Sequence, residues 1–147
     1  GVIDVGSNSV RLMISDGIET LYKKPIVTAL ASNVDEYNNL SSQAVKRTVE
    51  AVSFFVSYAT EKKVDEIYVF ATAAVRNAPN RNLFLNAVKQ STGIDVEVID
   101  GVTESYIGAL GALNGNDGAI IDIGGATLTA IELASREVEE CYARSCL

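Results

Sequence analysis

The sequence predicts an α/β fold, a mixed sheet of about five strands with helices on both faces, forming one domain over residues 1–147. Three observations lead there. Short apolar runs of strand character recur at Val2–Val5, Ile67–Ala71, Val96–Ile99 and Ala119–Ile123. Stretches with apolar residues at helical spacing separate them. Asp4-Val5-Gly6 and Asp122-Ile123-Gly124 each end one strand-like run and lead into another.

Val2-Ile3-Asp4-Val5 and Arg11-Leu12-Met13-Ile14-Ser15 read as the strands of a hairpin. Asp16-Gly17 marks the next turn, and Glu19 to Ala29 supplies a third strand, strained by Pro25. Ala31 to Asn39 is polar and aperiodic, hence a loop. Ser41 or Ser42 then caps a helix reaching Lys63, with Val45, Val49, Val52, Phe55, Val56 and Ala59 on its inner face. Ile67–Ala71 is apolar almost throughout, as in a buried strand. Asn80 can cap a second helix carrying Leu83, Phe84, Ala87 and Val88 inward, and Gly93 ends it. Val96–Ile99 is a strand. A third helix starts near Thr103, with Ile107, Leu110 and Leu113 on one face. Gly108 and Gly111 lie inside it, each costing ~1 kcal/mol against alanine, so close packing is the expected reason for them. Ala119–Ile123 and Thr127–Leu133 form a closing hairpin around Gly124-Gly125.

Composition narrows the function. Twelve Lys+Arg against 19 Asp+Glu give a net charge of −7, which argues against broad attraction to DNA or an anionic membrane. No apolar run approaches the ~20 residues of a membrane span, and no segment reads as a signal peptide. A cytoplasmic protein is expected, with Cys141 and Cys146 as reduced thiols. The chain opens on Gly1 inside an apparent strand, so a fragment is expected. It contains no histidine, so acid–base chemistry falls to Asp, Glu, Lys, Tyr or Cys, and a zinc site is disfavoured.

The two glycine turns point to an anion. "VIDVGSNS" at 2–9 and "IIDIGGAT" at 120–127 share one pattern, apolar-apolar-Asp-apolar-Gly followed by small residues. Gly6, Gly124 and Gly125 let backbone N–H groups approach a ligand with no Cβ in the way. Ser7, Asn8, Ser9 and Thr127 add neutral donors, and Asp4 and Asp122 can hold Mg²⁺ through water. A dinucleotide fingerprint would place a helix after the glycines, and a Walker loop would need Gly-Lys-Ser/Thr. The plainer alternative is a pair of ordinary hairpin turns; finding the pattern twice favours the ligand.

Strand–turn–strand with Asp-x-Gly, twice, resembles the phosphate loops of the actin-like ATPase (ribonuclease H-like) superfamily. More narrowly, "DVGSNSVRL" at 4–12, "ATAAVRNAPN" at 71–80, "VIDGVTES" at 98–105 and "IIDIGGAT" at 120–127 resemble the exopolyphosphatase / guanosine pentaphosphate phosphohydrolase family. "LSSQAVKRTVEAV" at 40–52 is similar to that family's first helix. The resemblance implies the first of two domains, with an active site completed by the second domain of the parent chain. It implies Mg²⁺-dependent release of terminal phosphate from polyphosphate or guanosine pentaphosphate. It places Gly6, Ser7, Asn8 and Ser9 in the first phosphate loop, and Asp122, Gly124 and Gly125 in the second. Arg76 matches an arginine that forks onto phosphate, and Glu104 the glutamate that activates water. Asn80 matches a site asparagine but equally suits a helix cap. Arg11 matches the family's "RL" arginine but equally suits pairing with a surface acid. A homodimer stays open.

The chain departs from the family at two places. The Gly-x-Glu-Glu-Ala stretch becomes Gly101-Val102-Thr103-Glu104-Ser105, leaving one glutamate. Gly-Gly-Gly-Ser-Thr-Glu becomes Gly124-Gly125-Ala126-Thr127-Leu128-Thr129, adding a methyl and removing a carboxylate. A phosphate-sensing module that binds without turnover is therefore the rival to the hydrolase. A kinase of the same superfamily and a purely structural domain complete the alternatives.

Overall fold

The computed structural model describes residues 1–124, 127–134 and 137–145. The chain divides into two compact units, Gly1–Val98 and Ile99–Leu147.

The first unit holds β1 (Val2–Val5), β2 (Ser9–Ser15), β3 (Thr20–Val27), α1 (Ser42–Glu61), β4 (Tyr68–Ala71), α2 (Ala73–Arg76), α3 (Arg81–Thr92) and β5 (Val96–Val98). Its strands form one mixed five-stranded sheet in the order β3-β2-β1-β4-β5. β1 pairs antiparallel with β2 and parallel with β4, so the sheet is a meander joined to a crossover half. Strand alternation decides which side chains go inside. Ile3, Val5, Val10, Leu12, Ile14, Val69 and Ala71 turn inward and share a core with Val52, Phe55, Phe84 and Val88 of α1 and α3.

Ser41 caps α1, its hydroxyl accepting from the Ala44 N–H at 3.2 Å. The buried stripe is Ala44, Thr48, Ala51, Val52, Phe55, Val56 and Ala59. Val45 and Val49, expected inward, are only half-buried. On α3 Phe84 and Val88 are buried, but Leu83 is exposed; a helix this short buries a narrow stripe, and Leu83 lies beside it. Gly93 ends α3 with φ 76°, in the left-handed region. α2, not foreseen as a helix, is a single turn with buried Ala73, Ala74 and Val75. Segment 31–39 is organised by Asp35, whose carboxylate accepts from the N–H groups of Tyr37 and Asn39 at 2.9 Å and from Asn39 Nδ2 at 3.0 Å.

The second unit holds α4 (Gly101–Leu113), β6 (Gly118–Ile123), β7 (Thr127–Ala134) and β8 (Glu137–Ser145). These strands form a separate antiparallel sheet, β6-β7-β8. Ala109 and Ile131 are its buried centre, with Tyr106, Leu110, Leu113 and Ile120 against them. α4 starts earlier than the sequence suggests, at Gly101, because Asp100 is its cap and accepts from the Thr103 N–H at 2.9 Å. Ile107, expected inward, is exposed. Gly108 and Gly111 are not packing glycines, since a Cβ at either would meet nothing within 4 Å. No helix among the described residues is long and apolar enough to cross a membrane.

Two outcomes follow. Gly108→Ala and Gly111→Ala should each stabilise the protein by about 0.5–1 kcal/mol in chemical denaturation, since each gains helix propensity without a clash. The Asn39 side chain, then the Asn39 and Tyr37 N–H groups, hold the Asp35 carboxyl below its ordinary value. Its contribution is therefore complete above the ordinary carboxylate range and fades as pH falls through the lowered value. Amide exchange at Tyr37 and Asn39 should accelerate over that acid window and stay flat above it, after correction for intrinsic rates.

Candidate functional site

The hairpin between β1 and β2 closes at the pair Val5↔Val10, leaving Gly6, Ser7, Asn8 and Ser9 as the turn. The Gly6 N–H donates to the Ser9 carbonyl at 3.0 Å, and a Cβ on Gly6 would sit 3.2 Å from that same oxygen. Glycine is needed here for close approach, not for an unusual φ. Beyond β3 the chain runs back alongside the turn. Thr28 and Ala29 donate their N–H groups to the Asn8 carbonyl at 3.0 and 2.9 Å, and Ala31 donates to the Ser7 carbonyl at 2.9 Å.

This arrangement fixes the direction of the turn's amides. No peptide bond among the described residues is cis, and in a planar trans peptide the C=O and N–H point opposite ways. With the Ser7 and Asn8 carbonyls aimed at segment 28–31, the N–H groups of Asn8 and Ser9 aim away from it. The N–H groups of Ser7 and Asn8 have no acceptor among the described residues. Successive uncommitted N–H groups in a tight turn make an anion-binding concavity.

The neighbouring strand brings Arg76 to the same end of the sheet. β1 and β4 run parallel with Val5 opposite Ala71, and the Thr72 N–H donates to the Val5 carbonyl at 3.3 Å. The glycine turn and α2 therefore emerge side by side at the carboxyl ends of parallel strands, where α/β sheets bind ligands. Arg76, half-buried, closes α2, its N–H bonded to the Thr72 carbonyl at 2.9 Å. A hollow of about 860 Å³ lies at the opposite end, around Val2, Met13, Tyr58 and Tyr68. The glycine turn takes no part in its lining.

Asp4 faces Arg11 across the ladder, and their side chains pair at 3.6 Å. Arg11 is thus the partner of a carboxylate, the second of its expected roles. Asn80 occupies the cap position of α3 but makes no capping hydrogen bond. Its amide instead reads the backbone of Leu40, accepting from the Leu40 N–H at 2.9 Å and donating to the Leu40 carbonyl at 3.0 Å. That link, 40 residues apart in sequence, has no local signal. Neither does the bond from Arg47 on α1 to the Thr28 carbonyl.

In the second unit, the β6–β7 hairpin closes at Ile123↔Leu128 with 124–127 as the turn, the same register as the first. Asp122 is exposed one pair back, opposite Thr129, and has no ion pair among the described residues. Gly124 is exposed. Gly125 lies outside the described residues, as does the side chain of Thr127. Glu104 stands half-buried in the first turn of α4. Thr103 gives both its N–H and its hydroxyl to Asp100, at 2.9 and 3.0 Å.

The donor set tests the metal. No group of three or more metal-ligating side chains occurs among the described residues, so a cation caged by protein ligands does not fit. A cation that keeps much of its water, as Mg²⁺ does, makes a smaller demand of one or two carboxylates besides a substrate's phosphates.

Replacing Asn80 by Ala should cost roughly 1–3 kcal/mol in urea denaturation, because the N–H and C=O of Leu40, a residue 5% exposed, lose their partner.

Known proteins identify the family and the fold. The chain is 32% identical over 137 residues to guanosine-5'-triphosphate,3'-diphosphate pyrophosphatase of Vibrio vulnificus, covering 88% of this chain but 28% of that protein. The crystal structure of an exopolyphosphatase from Cytophaga hutchinsonii superposes with a TM-score of 0.90 at 26% identity, over 99% of this chain and 50% of that one. MreB5 of Spiroplasma citri shares the actin-like ATPase fold alone, with a TM-score of 0.51 at 16% identity. The sequence profile of the Ppx/GppA phosphatase family spans residues 9–146. The profile match over nearly the whole length decides it: the chain belongs to the Ppx/GppA phosphatase family.

Proposed function

We propose that this chain supplies the first phosphate-binding domain of a Mg²⁺-dependent phosphoanhydride hydrolase. Its substrate is polyphosphate or guanosine pentaphosphate, and a second domain of the parent chain completes the site. The observation that carries the reading is the glycine turn, whose Ser7 and Asn8 N–H groups stay uncommitted while its carbonyls are tied to segment 28–31. The reaction is attack of water on a terminal phosphorus, in line with the bond that breaks; catalysis of that kind rests on positioning and electrostatics. The amides of Gly6–Ser9 hold phosphoryl oxygens, with Gly124, Gly125 and Thr127 as the second loop. Arg76 forks onto oxygens where charge develops. Glu104 orients the water and takes its proton. Asp4 and Asp122 would hold Mg²⁺ through water, where it would offset the charge on the phosphates. A cytoplasmic setting suits the nucleotide and polyphosphate substrates.

A second reading keeps the loops and drops the chemistry. Thr103, in place of a glutamate, is wholly engaged in capping α4, which favours a module that senses a nucleotide or phosphate without hydrolysing it.

Phosphate release from polyphosphate and from guanosine pentaphosphate, measured on the full-length protein, separates the two. The hydrolase should lose activity on chelation of Mg²⁺, and Glu104→Gln should slow it roughly 10²–10⁴-fold without abolishing binding. Binding with no phosphate released would establish the sensor. Wild-type rates in the Glu104→Gln variant would remove Glu104 from the mechanism.

A further inference from the structure

We propose that Arg47 is a positioning residue for the glycine turn. It fixes the strap 28–31, and the strap holds the turn's N–H groups toward an anion. The inference rests on the phosphate-loop reading above.

Arg47 reaches from α1 with both Nε and Nη2 to the Thr28 carbonyl, at 3.2 and 3.1 Å. Both arms of a guanidinium on one oxygen fix that peptide's direction, and the charge strengthens each bond. Arg47 is exposed and has no carboxylate partner among the described residues, so no ion pair accounts for its placement. A lysine has no such fork.

The strap needs an external hold. Ala29 adopts φ 48°, a left-handed conformation uncommon outside glycine. Such a residue persists where its surroundings over-determine it. Its N–H goes to the Asn8 carbonyl at 2.9 Å, and its carbonyl accepts from Ser32 N–H and Oγ at 3.0 and 2.7 Å. Thr28 is 3% exposed and its Oγ1 is buried without a partner, so its side chain supplies no polar anchor. Leu30 is fully buried and pins the strap to the core. The Thr28 peptide is therefore held by Arg47 on its carbonyl side and by Asn8 through its N–H. With Arg47 removed, the Thr28–Ala29 peptide loosens, and the Asn8–Ser9 peptide, whose carbonyl accepts from the Ala29 N–H, is free to rotate. The turn then loses the preorganisation that makes its amides an anion site.

The test uses Arg47→Ala and Arg47→Lys in the full-length protein. Amide exchange at Thr28 and Ala29 is followed without ligand, and tripolyphosphate is the binding probe. In Arg47→Ala, exchange at both amides should speed about tenfold and tripolyphosphate affinity fall about tenfold. Millimolar guanidinium ion should restore both, and Arg47→Lys should restore neither fully. Unchanged exchange at Thr28 and Ala29 overturns the proposal, including the case where affinity alone falls, which would make Arg47 a direct anion contact. A wild-type protein that binds no tripolyphosphate sinks the phosphate-loop reading instead, while the exchange measurement still decides what Arg47 does.

Discussion

The structure depends on where the carbonyls of Ser7 and Asn8 are sent. A short turn between antiparallel strands exposes both faces of its peptides, and water can take either. Here Thr28, Ala29 and Ala31 donate to those carbonyls from one side. Because each peptide is planar and trans, satisfying its oxygen on one side commits its N–H to the other. A four-residue turn thereby becomes a directed array of donors with no charged side chain of its own. That suits a chain with a net charge of −7, since local dipoles can hold a phosphate without a basic surface.

The same hairpin occurs twice with different electrostatics. Both turns close in one register, and both carry an Asp one pair before the last ladder pair. Opposite Asp4 stands Arg11; opposite Asp122 stands Thr129. Asp4 is thus partly neutralised by its cross-strand neighbour at 3.6 Å, although a pair with one partner 61% exposed is worth little in stability. Asp122 has no ion pair among the described residues. The backbone geometry repeats while the residues across from the two aspartates differ.

α4 shows a helix start closed by its own first turn. The Asp100 carboxylate accepts from both the N–H and the hydroxyl of Thr103. The first bond satisfies one of the backbone donors that a helix start leaves open, and the second fixes the carboxylate in place.

Much of the fold was legible in the sequence because its cues are local. Strand alternation at Val2–Val5, the Ser41 cap, the left-handed Gly93 and the two Asp-x-Gly turns each follow from neighbours a few residues away. The glycine turn was legible as a tight strand–turn–strand for the same reason. Packing was less legible. Leu83 and Ile107 have helical spacing and are exposed, because periodicity names a face without saying how wide a stripe its partners cover. The long-range side-chain bonds to backbone were not legible at all. Arg47 reaches Thr28 across 19 residues and Asn80 reaches Leu40 across 40. Asn80 even has the identity and position of a helix cap, yet its side chain serves a distant backbone. The sequence by itself determined that a glycine turn stands between two strands; only the tertiary structure decided which way its peptides point, because a peptide's direction is set by whatever bonds its other side.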